Sequence, residues 1–344
     1  MRSVLRAAVY YNNSDVRIEE LAVPEIGEEE ILVKVEASGI CGSDVMEWYR
    51  IKKAPLVLGH EVAGTVELAG SRVKKFKTGD RVTVAHHVPC NTCRYCLKGE
   101  HSVCDTLRTT NFDPGGFAQF IRVPEINVDR GVFLLPEGMS FEEATFAEPL
   151  GCVSRGLKRA RMEAGKSVLV IGSGISGLLH VKLAKALGAS AIVATDINPF
   201  RLDAAGRFGA DHVLKAGSDV PARVRALMGR PADIVVLCVA SAPAVTQGLK
   251  SVDRGGTVVF FAPAEPGSAF PMPLFDLWRD NVTIINTYAA PPLDTMTAID
   301  LIGSGSVGVS DMITHRLPLD RTSEGFDLVA GAKESIKVIV EPNG

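Results

Sequence analysis

Ser167-Val-Leu-Val-Ile-Gly172-Ser-Gly174-Ile-Ser-Gly177, running on into Leu178-Leu-His-Val-Lys-Leu-Ala-Lys-Ala-Leu-Gly188, is the stretch whose reading decides the fold. A β-branched apolar run feeds a Gly-x-Gly-x-x-Gly turn, and the turn opens a helical stretch. Glycine-rich turns alone say little. Between a strand and a helix, these glycines permit a tight turn, close approach of a pyrophosphate and close packing of helix on strand. The helix N-terminus would then face the phosphates. Gly172, Gly174, Ile175 and Gly177 are therefore the expected cofactor-binding positions. The next apolar run, Ala191-Ile-Val-Ala-Thr, ends in Asp196, nineteen residues beyond Gly177. An acid there accepts hydrogen bonds from the ribose hydroxyls of NAD. A 2′-phosphate about 5 Å from it would cost about 3 kcal/mol per charge pair at an effective dielectric near 20. NAD is thus favoured over NADP, with Arg201, five residues on, able to soften the penalty. The competing reading is an ordinary strand–turn–helix with a fortuitous acid.

Downstream of this unit the texture persists. Apolar runs at Asp233–Val239 and Thr257–Phe261 alternate with helical stretches such as Arg201–Phe208. Strands buried on both faces and alternating with helices make a parallel α/β sheet. Upstream, Ile31-Leu-Val-Lys-Val-Glu-Ala and Arg81-Val-Thr-Val alternate at period two, with Gly and Pro between, as in a small loop-rich β domain. Strand-like texture returns after Asn286 and ends in Ile336-Lys-Val-Ile-Val-Glu-Pro, so the tail is expected to rejoin the first domain.

A chain of 344 residues exceeds the size at which one core stops growing, so two domains are expected. A net charge of −3 provides no basic field for nucleic acid or anionic membrane. The longest apolar stretch, Val168 to Val181, is interrupted by three glycines and is too short to span a bilayer. Met1 to Tyr11 holds no continuous apolar run of signal-peptide length, and a soluble cytoplasmic protein is expected.

Of the seven cysteines, Cys90, Cys93, Cys96 and Cys104 lie together, while Cys41, Cys152 and Cys238 stand alone. An odd count with one tight cluster suggests metal ligation. Four thiolates suit a closed tetrahedral zinc shell with no position left for substrate. Two disulfides or an iron–sulfur cluster are the alternatives. Cys41 (in Gly39-Ile-Cys41-Gly42-Ser43-Asp44), His60 (in Gly59-His60-Glu61) and Glu148 (in Ala147-Glu148-Pro149-Leu150) are further candidates. Each alone has a dull explanation: a core thiol, a satisfied imidazole, a helix start.

Together they do not. Gly59-His60-Glu61-Val-Ala-Gly64-Thr-Val-Glu-Leu-Ala-Gly70-Ser-Arg-Val73, the cysteine lobe, Glu148-Pro149-Leu150 and the dinucleotide turn follow one another in order. In this the sequence resembles the zinc-containing medium-chain dehydrogenases, the family of sorbitol, threonine and alcohol dehydrogenases, over essentially its whole length. The resemblance implies a GroES-like catalytic domain of residues 1–148, with the structural-zinc lobe at about 86–108, completed by 287–344. A Rossmann NAD-binding domain of residues 149–286, a doubly wound parallel sheet, is inserted between these parts.

It further implies a catalytic zinc held by Cys41, His60 and Glu148, with Glu61 as the alternative carboxylate, and so two zinc ions per subunit. Ser43 matches the hydroxyl that takes the alcohol's proton. Many relatives carry a His three residues after this Ser; here it is Met46, whose thioether carries no proton. The expected reaction moves a hydride between NAD and a secondary alcohol, polyol or sugar-like. The alternatives are an amino-alcohol such as threonine, a hydrophobic or cyclic alcohol, or a non-catalytic NAD-binding relative. Trp48, Phe112 and Tyr288 are the expected pocket residues, and a homotetramer or homodimer the expected assembly.

Overall fold

The computed structural model describes residues 3–217 and 219–344. The chain divides into two compact units, Met1–Gly151 with Ala289–Gly344, and Cys152–Tyr288. The first crossing falls inside a single helix, Ala147–Arg159, where no change of composition marks it.

The second unit is built on a six-stranded parallel sheet. Its strands lie in the order His212–Lys215, Ala191–Asp196, Ser167–Ile171, Ala232–Leu237, Val252–Phe260, Thr283–Asn286. Every residue of Ser167–Ile171 is buried, which is why the run is continuously apolar rather than alternating. The strand order reverses beside this strand. Such a switch point opens a crevice at the carboxyl ends of the strands. The following helix starts at Ile175 with Gly174 as its N-cap. The helix Pro199–Arg207 starts where the Asn198 side chain accepts from the Phe200 amide at 2.9 Å.

The first unit contains a seven-stranded, mostly antiparallel sheet. Along its main path the order is Ile313–Pro318, Lys337–Glu341, Ile31–Gly39, Glu61–Ala69, Arg81–Ala85, Val132–Leu134, while Phe120–Val123 pairs with Ile31–Gly39. The C-terminal strand is antiparallel to Ile31–Gly39, with Ile339 opposite Gly39. The tail therefore completes the sheet begun near the N-terminus. Register decides the site. Gly39 lies opposite Glu61, and Glu61 opposite Ala85. Because neighbouring strands are antiparallel, Cys41, His60 and His86, each one or two residues beyond this row, leave the sheet at the same end. Beneath them Ile31, Val33, Val35, Val62, Val82 and Val84 form an aliphatic core, the inward half of the alternation seen in sequence.

Candidate active site and metal centres

The four-cysteine lobe is a local construction. Two short 3₁₀ turns, Cys96–Lys98 and His101–Val103, fold the chain back on itself, and Leu107 packs against Cys96 and Cys104. The sulfurs of Cys90 and Cys96 are 3.9 Å apart, those of Cys93 and Cys96 3.5 Å, and those of Cys104 and Cys90 3.7 Å. Sulfurs at about 2.3 Å from a tetrahedral zinc stand about 3.8 Å from one another. The lobe has that edge length, and all seven cysteines are free thiols. Backbone amides of Cys90, Cys93 and Cys96 donate to sulfurs of the cluster at 3.2–3.5 Å. Hydrogen bonds from the Thr92 side chain and the Thr92 and Cys93 amides hold the Cys90 thiol down to about 5, whereas burial pushes Cys96 up to about 12. The donor set fits a structural zinc ion.

The second cluster is assembled from distant segments. A sulfur of Cys41, a nitrogen of His60 and a carboxylate oxygen of Glu61 all lie within 4.8 Å of one another. Asp44 is fully buried behind them. One of its oxygens accepts from the Cys41 amide at 3.0 Å. The other lies 3.3 Å from His60 Nδ1 and 3.3 Å from Arg50 Nη2. With Nδ1 held by the carboxylate, Nε2 would be the nitrogen of His60 that a metal ion takes. Burial alone would lower the His60 pKa; Asp44 and Cys41 outweigh it and raise it well above its usual value. The neighbourhood thus calls for positive charge at the imidazole, which a metal ion supplies when it displaces the proton. Glu61 Oε1 is buried without a hydrogen-bond partner, as expected of an atom reserved for an ion. Its other oxygen pairs with the ammonium of Lys337, and both side chains are almost wholly buried. A Cβ on Gly39 would meet Glu61 Oε2 and Lys337 Nζ, so the pair would have to shift to admit a side chain there.

The expected ligand Glu148 is not a member of this group; the carboxylate gathered with Cys41 and His60 is that of Glu61. Glu61 opens a strand in register with Gly39, whereas Glu148 sits in the first turn of the helix Ala147–Arg159. Ser43 lies at the cluster, its Oγ 3.4 Å from the Cys41 sulfur. Phe112, expected to line a pocket, is instead 2% exposed within the aliphatic core of the sheet. Trp48 is half-buried with its ring 5.7 Å from that of Tyr49 and tilted to it by 58°, while Tyr288 is 46% exposed.

Sequence reasoning did not find Arg50 or Lys337, nor that His86 lies beside His60. The His86 ring lies 4.9 Å from that of His60 and 3.8 Å from that of His87. Burial first, then the neighbouring histidines, hold His86 well below its usual pKa, so it is neutral. No spacing signal could have shown this, because the strand register alone brings residues 60 and 86 together.

In the second unit the glycine turn has the geometry that a dinucleotide needs. Gly172 has φ +93°, a conformation that side chains rarely adopt. A Cβ on Gly177 would strike the Gly172 carbonyl, whereas one on Gly174 would meet nothing nearer than Arg201 Nη1 at 3.7 Å. Protein packing therefore demands glycine at 177 but not at 174, and the open cradle at 174 fits a pyrophosphate. Asp196 Oδ2 accepts from the Ser173 amide at 2.7 Å and Oδ1 from the Asn198 amide at 2.8 Å, which aims the carboxylate and leaves each oxygen a second lone pair.

Comparison with known proteins agrees with both halves. Residues 27–136 match the alcohol dehydrogenase GroES-like domain and residues 176–304 the zinc-binding dehydrogenase domain. The chain is 32% identical to sorbitol dehydrogenase of Bacillus subtilis (strain 168), covering 98% of each chain. Its fold is similar to that of an alcohol dehydrogenase from Thermus sp. ATN1 (TM-score 0.87, 32% identity, 98% of this chain and 99% of the other). It is also similar to a zinc-binding dehydrogenase from Sinorhizobium meliloti 1021 bound to NADP (TM-score 0.88, 28% identity, 99% and 100%). With a GroES-like sheet carrying the thiolate–imidazole–carboxylate cluster and a Rossmann sheet carrying the glycine turn, the chain belongs to the zinc-containing medium-chain dehydrogenase family, whose members interconvert alcohols and carbonyl compounds.

Proposed function

We propose that this protein is an NAD-preferring dehydrogenase of secondary alcohols that carry a second oxygen beside the reacting carbon, polyols foremost. The observation that carries the reading is the cluster of Cys41, His60 and Glu61, with His60 oriented by the buried Asp44. Cys41, His60 and Glu61 would hold the catalytic zinc, with Glu148 the alternative carboxylate, and Cys90, Cys93, Cys96 and Cys104 the structural one. When bound, the catalytic zinc supplies Lewis acidity to the substrate oxygen, and the nicotinamide accepts the hydride. Alcohol and oxidised cofactor then become carbonyl, reduced cofactor and one proton. Ser43 is the hydroxyl placed to take that proton, Asp44 keeps His60 in its ligating orientation, and Lys337 offsets the buried charge of Glu61.

Gly172, Gly174, Ile175, Gly177 and Arg201 would hold the pyrophosphate half of the cofactor, and Asp196 its adenosine ribose. The Sinorhizobium protein binds NADP, so the preference for NAD rests on Asp196 of this chain. Preference for a second substrate oxygen is supported by the likeness to sorbitol dehydrogenase and by the mixed carboxylate ligand set. Trp48 and Tyr288 remain the proposed pocket residues. A homodimer or homotetramer is supported by the helix Leu274–Arg279, where Leu274, Phe275 and Trp278 are 71%, 65% and 77% exposed, just before the edge strand Thr283–Asn286. Among the described residues no helix is long and apolar enough to cross a membrane, and a cytoplasmic location is proposed.

The test is NAD reduction over matched panels of polyols, vicinal diols, mono-alcohols and threonine. Polyols and diols should exceed matched mono-alcohols in kcat/KM, since a site built for a hydroxyl discriminates against analogues lacking it. Preference for simple or cyclic mono-alcohols would overturn the substrate assignment. Preference for threonine would move it to the amino-alcohols.

A further inference from the structure

Met46 leaves Ser43 without the imidazole that a neighbour three residues on could have supplied, yet Ser43 is not unsupported. One turn of helix, Glu47–Arg50, follows Met46 and returns the Arg50 guanidinium to the loop. Arg50 Nε donates to the Ser43 carbonyl at 3.0 Å, and Nη2 donates to Ser43 Oγ at 3.0 Å and to Asp44 Oδ1 at 3.3 Å. The side chain is only 15% exposed. A planar fork that bridges a carbonyl, a hydroxyl and a carboxylate fixes all three relative to one another, which a lysine ammonium on a flexible stem does less well. Asp44 is the carboxylate that holds His60 Nδ1. Arg50 therefore reaches both halves of the cluster, the hydroxyl directly and the imidazole through Asp44.

We infer that Arg50 is a positioning residue of the reaction, aiming the Ser43 hydroxyl at the substrate oxygen and anchoring the carboxylate that orients His60. Arginine keeps its proton, so it is no relay. Ser43 Oγ accepts from Arg50 and directs its own hydrogen at the Cys41 sulfur, 3.4 Å away, so one lone pair is left for the substrate's proton. As that proton arrives on Oγ, the hydrogen already there passes to solvent, so Oγ stays a neutral hydroxyl; the positive charge of Arg50 disfavours an oxonium on Oγ and so ties the two transfers together. The inference rests on the proposed function, since it assigns Ser43 a proton to move.

The experiment compares Arg50→Ala and Arg50→Lys with wild-type holoenzyme, reading kcat, KM, solvent deuterium isotope effect, zinc content and melting temperature. Loss of a charge-assisted hydrogen bond to a buried group is expected to lower kcat of Arg50→Ala by about ten- to a hundred-fold. KM should move less than three-fold, roughly what loss of a minor contact gives. The isotope effect on kcat should rise as proton transfer becomes slower, and guanidinium ion at millimolar level should restore part of kcat where ammonium does not. Arg50→Lys should fall between the two in kcat. Two zinc ions per chain should remain in each variant. Unchanged kcat and isotope effect in an active enzyme would overturn the role of Arg50 alone. Absence of alcohol oxidation in wild type would instead overturn the proposed function. If Arg50→Ala does not fold, Arg50→Lys decides: wild-type kcat and isotope effect in it refute the inference, and a lowered kcat at unchanged KM with a raised isotope effect supports it.

Discussion

The two metal centres are built on opposite plans. The lobe takes its four sulfurs from Cys90 to Cys104, on one loop with its own turns and a single packed leucine. The proposed catalytic cluster takes Cys41 from one strand end, His60 and Glu61 from the start of another, and Lys337 from the last strand of the chain. In the first, chain connectivity holds the ligands close before any tertiary structure exists. In the second, a sheet with the correct register must form first. A local centre is expected to stabilise the chain that folds round it, and an assembled centre to report on whether the sheet is intact.

The largest expected effects come from breaking one centre at a time. Cys41→Ser should lower turnover by at least about a thousand-fold while the protein stays folded, because the substrate's Lewis acid loses a ligand. Cys104→Ser should remove one zinc and lower the melting temperature markedly, since structural zinc contributes about 10–16 kcal/mol of apparent binding energy to small sites that fold around it. Elemental analysis, melting curves and initial rates on the two variants check this. Equal damage to stability from both would erase the contrast.

Next in size is Lys337→Met. With the catalytic zinc removed it strands Glu61 as a buried charge, and removing one member of such a pair costs about 3–5 kcal/mol. The first unit should lose stability while the lobe keeps its zinc. Glu61→Gln added to Lys337→Met should recover much of the loss, and a double variant no more stable than the single one would show that the ion pair is not the cause.

Smallest is Asp196→Ser, which touches neither centre. Wild type should use NAD much better than NADP, and the variant should narrow the ratio of catalytic efficiencies by about ten- to a hundred-fold, as expected from about 3 kcal/mol of charge repulsion partly screened by Arg201. An unchanged ratio would separate Asp196 from cofactor choice and leave the glycine turn as the sole sequence signal for the nucleotide.

The sequence by itself determined whatever short-range chemistry encodes. The turn at Gly172–Gly177 was legible because φ > 0 at 172 and close packing at 177 restrict those positions to glycine. The cysteine lobe was legible because four thiols within fifteen residues have few other uses. Buried parallel strands announced themselves as unbroken apolar runs, although Val252–Phe260 begins five residues before the expected Thr257. Only the tertiary structure brings the Glu61 carboxylate beside both Cys41 and His60, because that depends on Gly39 standing opposite Glu61 across two strands. It likewise decided that Arg50 serves Ser43, that Lys337 serves Glu61 and that Phe112 belongs to the core. An ion pair between residues 61 and 337 leaves no pattern along the chain, since nothing in either neighbourhood specifies the other. Strand register places such partners, and register is set by packing of the whole sheet.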